Sequence, residues 1–233
     1  MQIPLASRSF SARHHRAAPL PLFLVALFCC LLPVSIPVCR AAPRPKMRPA
    51  SPSQVIHVFD QSLLKSMKAG AKAGFAGRYR ILEPVIRRTI GWAAMLHLLT
   101  GHDWKELSPA ERHRLRELFI RYTIANYAHE FNGYHGQRFH IVDHRHYPAY
   151  DLVMARFDER NRRHHTFVYL LQKAGAEWQI VNIFVDGVSN LSLLKSQFQF
   201  VLKKTGPKGL FDYLTRSISH LENPTGDHRS HTS

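Results

Sequence analysis

The stretch Glu177–Lys204, EWQIVNIFVDGVSNLSLLKSQFQFVLKK, decides the fold class. It begins with an almost continuous apolar run, Trp178–Val185, which predicts a strand that is covered on both faces. Strict alternation predicts one face with Trp178, Ile180, Asn182 and Phe184 and another with Val181, Ile183 and Val185. Asp186-Gly187 ends this strand. Ser189 can cap the helix that follows, in which apolar residues recur at spacings of three and four. A buried strand joined to an amphipathic helix needs a shared interior, which is filled either with side chains or with a guest molecule.

Three more segments before this stretch have strand-like composition and are separated by short connections. Short connections between sequential strands predict hairpins, and hence an antiparallel meander. The predicted strands are Phe139–His146, Tyr150–Phe157, Thr166–Gln172 and Trp178–Val185.

Helical periodicity precedes and follows the strands, which predicts an α+β domain whose helices pack on one face of a curved, four-stranded antiparallel sheet. The clearest start is Ser108, where Pro109 and Glu111 complete a capping box for a long helix. Ser53 is predicted to cap the first helix, and Pro84 predicts a kink or a new start. The predicted helices are 53–69, Tyr79–Thr89, Trp92–Leu99, 108–131, Ser192–Lys204 and Pro207–Ser219.

Residues 1–41 have the features of a cleaved secretory signal peptide, which predicts an exported protein. Arginines precede an apolar run, Leu20–Val38, and small residues flank a possible cleavage point after Ala41. The run is interrupted by prolines and is shorter than the ~20 residues of a membrane span, but a retained anchor is the alternative. A Pro- and Arg-rich linker (42–52), a single domain (53–220) and a flexible tail (221–233) are predicted to follow.

Cysteine use and charge limit the possible functions. Cys29, Cys30 and Cys39 all lie in the predicted leader, so the remainder has no disulfide, thiol nucleophile or cysteine metal site. The chain has a net charge of +16, and removing a leader with four arginines and no acids leaves +12. This charge suits an anionic membrane surface. An ordinary solvated surface explains it equally well, whereas an exported protein rarely meets nucleic acid.

No catalytic triad, phosphate-binding loop or cofactor motif is recognisable in the sequence. His140, His144 and His146 have the same parity on one predicted strand, so their side chains could converge on a metal ion. The favoured interpretation is an exposed, His-rich strand face, because arginines crowd the same segment.

Large aromatic side chains are abundant for one domain. Such residues usually form an ordinary core, and the alternative is a cavity for an apolar ligand. They are Tyr122, Tyr127, Phe131, Phe139, Phe157, Phe167, Tyr169, Trp178, Phe184 and Phe198.

An ordered set of short motifs over about residues 55–218 resembles the periplasmic phospholipid carriers of the MlaC and toluene-tolerance type. The Phe-Val-Asp-Gly-Val-Ser run is most similar to a branch associated with hopanoid biosynthesis. Lys195 and Asn182 replace the Arg and Asp expected from the family, which puts a buried ion pair there in doubt. The motifs are Tyr79–Val85, Trp104, Leu107–Glu111, Tyr127–Tyr134, Trp178, Gly187–Ser189 and Ser196–Phe198.

The resemblance implies a non-enzymatic carrier that holds acyl chains in an apolar cavity between sheet and helices. It implies movement of phospholipid, or a hopanoid-type lipid, between an inner-membrane ABC transporter complex and an outer-membrane lipoprotein complex. No cofactor or nucleic acid is expected. The residues expected to contact lipid are Leu82, Val85, Leu118, Phe119, Tyr122, Phe167, Tyr169, Trp178, Ile180, Val181, Ile183, Phe198, Val201 and Leu202.

Two other functions remain open from the sequence. A small enzyme on a similar cone-shaped α+β fold would place a buried His-Asp pair in the pocket. A non-lipid adaptor that binds only proteins would have a filled core. The lipid carrier is the favoured interpretation.

Overall fold

The computed structural model describes residues 50–160 and 163–223. The predicted signal peptide, most of the linker and the end of the tail lie outside these ranges. In the described part of the chain, no helix is long and apolar enough to cross a bilayer. The helices are α1 (Pro52–Thr89), α2 (Trp92–Thr100), α3 (Asp103–Glu106), α4 (Pro109–Glu130) and α5 (Asn190–Glu222).

Helix α1 starts slightly earlier than predicted and is interrupted by two glycines. Ser51, not Ser53, caps it, with Gln54 completing a capping box. Gly70 and Gly74 have φ values of 49° and 63° and non-helical ψ values, which glycine adopts at little cost. The predicted new start near Pro84 is wrong, since the helix passes through this residue, whereas a kink there stays a prediction. The helical backbone angles are interrupted at the two glycines instead.

Capping and a glycine break also define the other long helices. The predicted capping box of α4 is confirmed: the Ser108 hydroxyl accepts from the Glu111 amide, and the Glu111 carboxylate accepts from the Ser108 amide. Helix α5 is interrupted at Gly206, where φ is 65° and Pro207 follows. This interruption lies where the sequence predicts the boundary between two helices.

The strands pair in chain order as an antiparallel sheet, which confirms the predicted α+β architecture. The turn Asp186-Gly187, with φ values of 50° and 83°, has the two positive angles of a type I′ hairpin. It adds a short fifth strand that the sequence analysis missed, although Asp-Gly is a strong hairpin signal. The strands are β1 (Arg138–His146), β2 (Asp151–Asp158), β3 (His164–Ala174), β4 (Glu177–Val185) and β5 (Val188–Ser189).

A bulge in β4 decides which of its side chains face the helices. Leu171 pairs with Ile180 and Leu170 with Asn182, so Val181 is an extra residue. Strict alternation along this strand is therefore wrong. Beyond the bulge the parity reverses, and Ile183, paired with Tyr169, joins Ile180 on the helix-covered face.

A second bulge, at Val142 in β1, separates the three histidines. His140 pairs with Arg156, whereas His144 pairs with Val153 on the opposite, helix-covered face. The predicted convergence of all three histidines is therefore wrong. His144 and His146 instead contact the buried Asp151, with Nε2–Oδ2 and Nδ1–Oδ1 distances of 2.9 and 2.6 Å. Burial opposes ionisation of Asp151, but these two contacts outweigh it and lower its pKa.

Aromatic side chains join the helices to the sheet. Phe119 of α4 makes edge-to-face contacts with Trp92 and Phe198, at centroid distances of 5.6 and 5.5 Å. Tyr169 of β3 donates a hydrogen bond from its hydroxyl to Asp60 of α1 at 2.6 Å. The core thus lies between the inner face of the sheet and the helices that cover it.

Candidate functional site

A cavity of about 680 Å³ lies between the sheet, helix α4 and the first half of α5. All of its buried lining side chains are apolar. They come from α1, the α1–α2 connection, α2, α4 and three strands, so the site depends on the whole fold rather than on one motif. These residues are Met67, Ile90, Met95, Phe119, Phe157, Phe167, Ile180 and Ile183.

The exposed and half-exposed part of the lining is mostly polar. It includes Glu130 at the end of α4, His135 in the connection that follows, and Glu159 and His165 beside the β2–β3 connection. The amides of Asn126, Asn132, Gln137, Asn190 and Gln197 also contribute. The cavity therefore has an apolar interior and a polar rim, a distribution that suits an amphipathic ligand.

The Asn182 side chain holds strand β4 and helix α5 together beside the cavity. Its Oδ1 accepts from the Ile183 and Leu191 amides at 2.8 and 3.2 Å, and its Nδ2 donates to Ser189 Oγ at 3.0 Å. Ser189 in turn caps α5 by accepting from the Ser192 amide. The Asp that the family resemblance leads us to expect at this position is not needed, because the Asn182 amide makes these contacts without a charge. This network fixes Leu191 and the next turn of α5 against the cavity.

Five of the predicted lipid-contact residues line the cavity. Phe119 and Tyr122 lie on α4, Phe167 on β3, and Ile180 and Ile183 on β4. The structure thus brings together predicted residues from three separate segments of the chain.

The other predicted residues lie elsewhere, and their contact with lipid stays a prediction. Val181, displaced by the bulge, is buried against the backbone of Gly91, where an added Cβ would lie 2.9 Å from its Cγ1. Lys173 lies over the ring of Trp178, 5.2 Å from its centroid. Buried in the core are Leu82, Tyr169, Phe198 and Leu202, while Val85, Leu118 and Val201 are half-buried beside it.

Several lining residues were missed by the sequence analysis. Leu191 and Leu194 carry a usable signal, because they lie on the apolar side of the predicted amphipathic helix. Met67, Ile90 and Met95 have none, because only the packing of α1 and α2 against the sheet places them at the cavity.

A His-Asp pair lies at the rim rather than in the buried interior. His165 Nδ1 and Asp186 Oδ2 are 2.6 Å apart, and the two side chains are 40% and 51% exposed. The contact with His165 and a backbone hydrogen bond from Thr166 lower the pKa of Asp186. The enzyme alternative predicts a buried His-Asp pair in the pocket, whereas this pair is exposed to solvent at the rim. Within residues 50–160 and 163–223, no group of three potential ligands is arranged to bind a metal.

The helices and the open antiparallel sheet define an α+β protein with an apolar cavity between its layers. Residues 58–216 match the family model described as MlaC protein. Because this match spans more than half of the chain, the protein belongs to the MlaC family. The family resemblance noted in the sequence is thereby confirmed, while the hopanoid-associated branch stays a prediction.

Comparison with solved structures supports the same fold. The chain is similar to the phospholipid-binding protein from Ralstonia solanacearum, determined in complex with a phospholipid, with a TM-score of 0.66 and 17% sequence identity. The match covers 74% of this chain and 99% of that one. No individually curated protein shows significant similarity to the sequence. Family and fold together indicate a binding or transport protein rather than an enzyme.

Proposed function

We propose that the protein binds a phospholipid, or another acyl or polycyclic lipid, with the apolar part in the cavity and the headgroup at the rim. The observation that carries this proposal is the wholly apolar buried lining beneath a polar rim, in a chain of the MlaC family. The phospholipid bound by the Ralstonia solanacearum protein supports the choice of ligand.

The energetics favour such a site. Each CH₂ group removed from water contributes ~0.8 kcal/mol, so leaving a long acyl chain in water costs on the order of ten kcal/mol. The cavity volume of about 680 Å³ lies within the range of about 300–1,000 Å³ that is usual for ligand pockets. Lipid binding needs an apolar volume of this kind and a mouth that tolerates the headgroup.

The transport role that we propose is periplasmic. The protein would carry lipid between an inner-membrane ABC transporter complex and an outer-membrane lipoprotein complex, the two partners that the resemblance implies. A carrier suits this role because it shields the acyl chains while it crosses the aqueous space.

Export is tested by fractionation. We expect the protein to be recovered from the periplasm without residues 1–41, because that segment has the features of a signal peptide. Mass spectrometry of the purified chain locates the N-terminus. Full-length protein that stays in the inner-membrane fraction would contradict both export and the proposed route.

Lipid transfer is tested with two vesicle populations. Donor vesicles contain fluorescent phosphatidylethanolamine at a self-quenching concentration, and acceptor vesicles contain none. The protein is expected to accelerate dequenching in proportion to its concentration, because a carrier removes the cost of passing the acyl chains through water. A rate equal to that in buffer, with intact vesicles, would contradict the carrier function.

A further inference from the structure

The first half of α5 carries exposed apolar side chains that extend beyond the cavity lining. Leu193 and Phe200 are 59% and 66% exposed, the highest values among the large apolar side chains of the described residues. They are seven positions apart, which places them on the same side of a helix, two turns from each other. Two such side chains together are less common than scattered exposed residues and indicate a contact surface.

Basic residues lie on the same side of this helix. Lys204 places its Nζ 5.8 Å from the centroid of the Phe200 ring, and Lys203 is its neighbour. Between Asp186 and Asp212 the sequence has no acidic residue. In the described part of the chain, neither Lys203 nor Lys204 takes part in an ion pair. Leu193, Phe200, Lys203 and Lys204 are called the docking face below.

The docking face continues into the mouth of the cavity. Leu193 belongs both to this face and to the cavity lining, and Gln197, one turn further along the helix, is also exposed at the lining. A surface that held the docking face would therefore lie next to the opening. Exposure of an acyl chain to water is unfavourable, so a carrier gains from an opening that meets the bilayer directly.

We propose that the docking face binds the surface of an anionic bilayer and presents the cavity mouth to it. Lysines around exposed Leu and Phe are the composition of helices that lie at an anionic membrane interface. Protein–protein interfaces are instead depleted of lysine, which makes a protein occupant the weaker choice. The proposal rests on the proposed lipid binding, because the face that it assigns to the bilayer lies beside the mouth of the same cavity.

The test is cosedimentation of the purified protein with vesicles of phosphatidylglycerol and phosphatidylcholine, and with phosphatidylcholine alone. We expect binding to the anionic vesicles that weakens as salt rises, because surface charges are screened within ~10 Å at 0.1 M. Lys203→Glu with Lys204→Glu is expected to weaken this binding about 30-fold or more, since each lysine near the surface contributes about fivefold. The matched control, Lys65→Glu with Lys72→Glu on α1, changes net charge equally and should weaken it far less.

The apolar contribution is tested separately. Phe200→Ser is expected to weaken vesicle binding about tenfold or more, whereas Val58→Ser, at a residue that is 51% exposed on α1, should have little effect. In Phe200→Trp, a bilayer with brominated acyl chains should quench the added fluorescence. All three substitutions are at exposed positions and leave the core untouched, so the variants are expected to fold.

Equal losses in the α5 and α1 variants would overturn the proposal, because general charge attraction would then explain binding. Absence of vesicle binding would also overturn it. Normal vesicle binding by the α5 variants, with loss of transfer only when membrane protein complexes are present, would assign the face to a protein partner instead. The copurifying lipid separates failure of the docking face from failure of the proposed function. A wild type without lipid would contradict the proposed function. Variants that lose vesicle binding but keep their lipid would leave the proposed function intact.

Discussion

Replacing Ile183 with tryptophan is expected to displace lipid from the protein while leaving its stability nearly unchanged. Ile183 lines the cavity, where a larger side chain can enter empty volume. Its neighbour Val181 is 5% exposed and packs against Gly91, so tryptophan there has no space. Val181→Trp is therefore expected to lower the free energy of unfolding by about 1–3 kcal/mol, the usual cost of overpacking.

The measurements are urea unfolding and mass spectrometry of extracted lipid for both variants. Ile183→Trp is expected to change the unfolding free energy by less than about 1 kcal/mol and to reduce the copurifying lipid severalfold. A similar loss of stability in both variants, with no change in lipid, would mean that the space beside Ile183 is not used by a ligand.

The free energy of unfolding is expected to fall by about 4 kcal/mol between pH 4 and pH 8 because of one buried carboxyl group. Asp60 is 2% exposed, and its Oδ2 has no hydrogen-bond partner. Burial raises its pKa from 3.8 to about 7, although the hydrogen bond from Tyr169 opposes this change. The folded chain thus keeps a proton that the unfolded chain releases, so stability is lost as pH rises through the folded-state pKa.

Asp60→Asn tests this expectation, because asparagine has nearly the same shape and no charge. The variant should be similar to the wild type at pH 4 and more stable than it at pH 8, with a flatter dependence between. Asp103→Asn, at an exposed residue, is the matched control and should preserve the wild-type slope. Parallel pH profiles for the wild type and Asp60→Asn would contradict this account, because they would show that folding does not raise the pKa of Asp60.

The sequence predicted most elements because their signals are local. The capping box at Ser108 and the Gly206-Pro207 break need only neighbouring residues. The bulges at Val142 and Val181 depend on the partner strand, and for that reason the predicted faces of strand β4 and the grouping of the histidines were wrong. The fifth strand is a different case, because the Asp-Gly hairpin signal was present in the sequence. It was interpreted only as the end of the fourth strand.

The candidate site was predicted less completely than the fold. Periodicity identifies apolar residues but does not separate core from cavity lining, which depends on the distance between the helices and the sheet. Thus Phe119 lines the cavity, while its contact Phe198 is part of the core. Asp60 could have been noticed, because it follows Phe59 on the apolar side of the first predicted helix, where an acidic residue is unexpected.

The most direct test of lipid carriage is native mass spectrometry of the wild-type protein after incubation with phospholipid vesicles and re-purification. We expect one additional mass per chain, equal to that of a phospholipid or another acyl or polycyclic lipid and released on denaturation. The additional mass should be missing or strongly reduced in Ile183→Trp. If the wild-type protein shows only the mass of its own chain after incubation with excess phospholipid vesicles, lipid binding in the cavity would be contradicted.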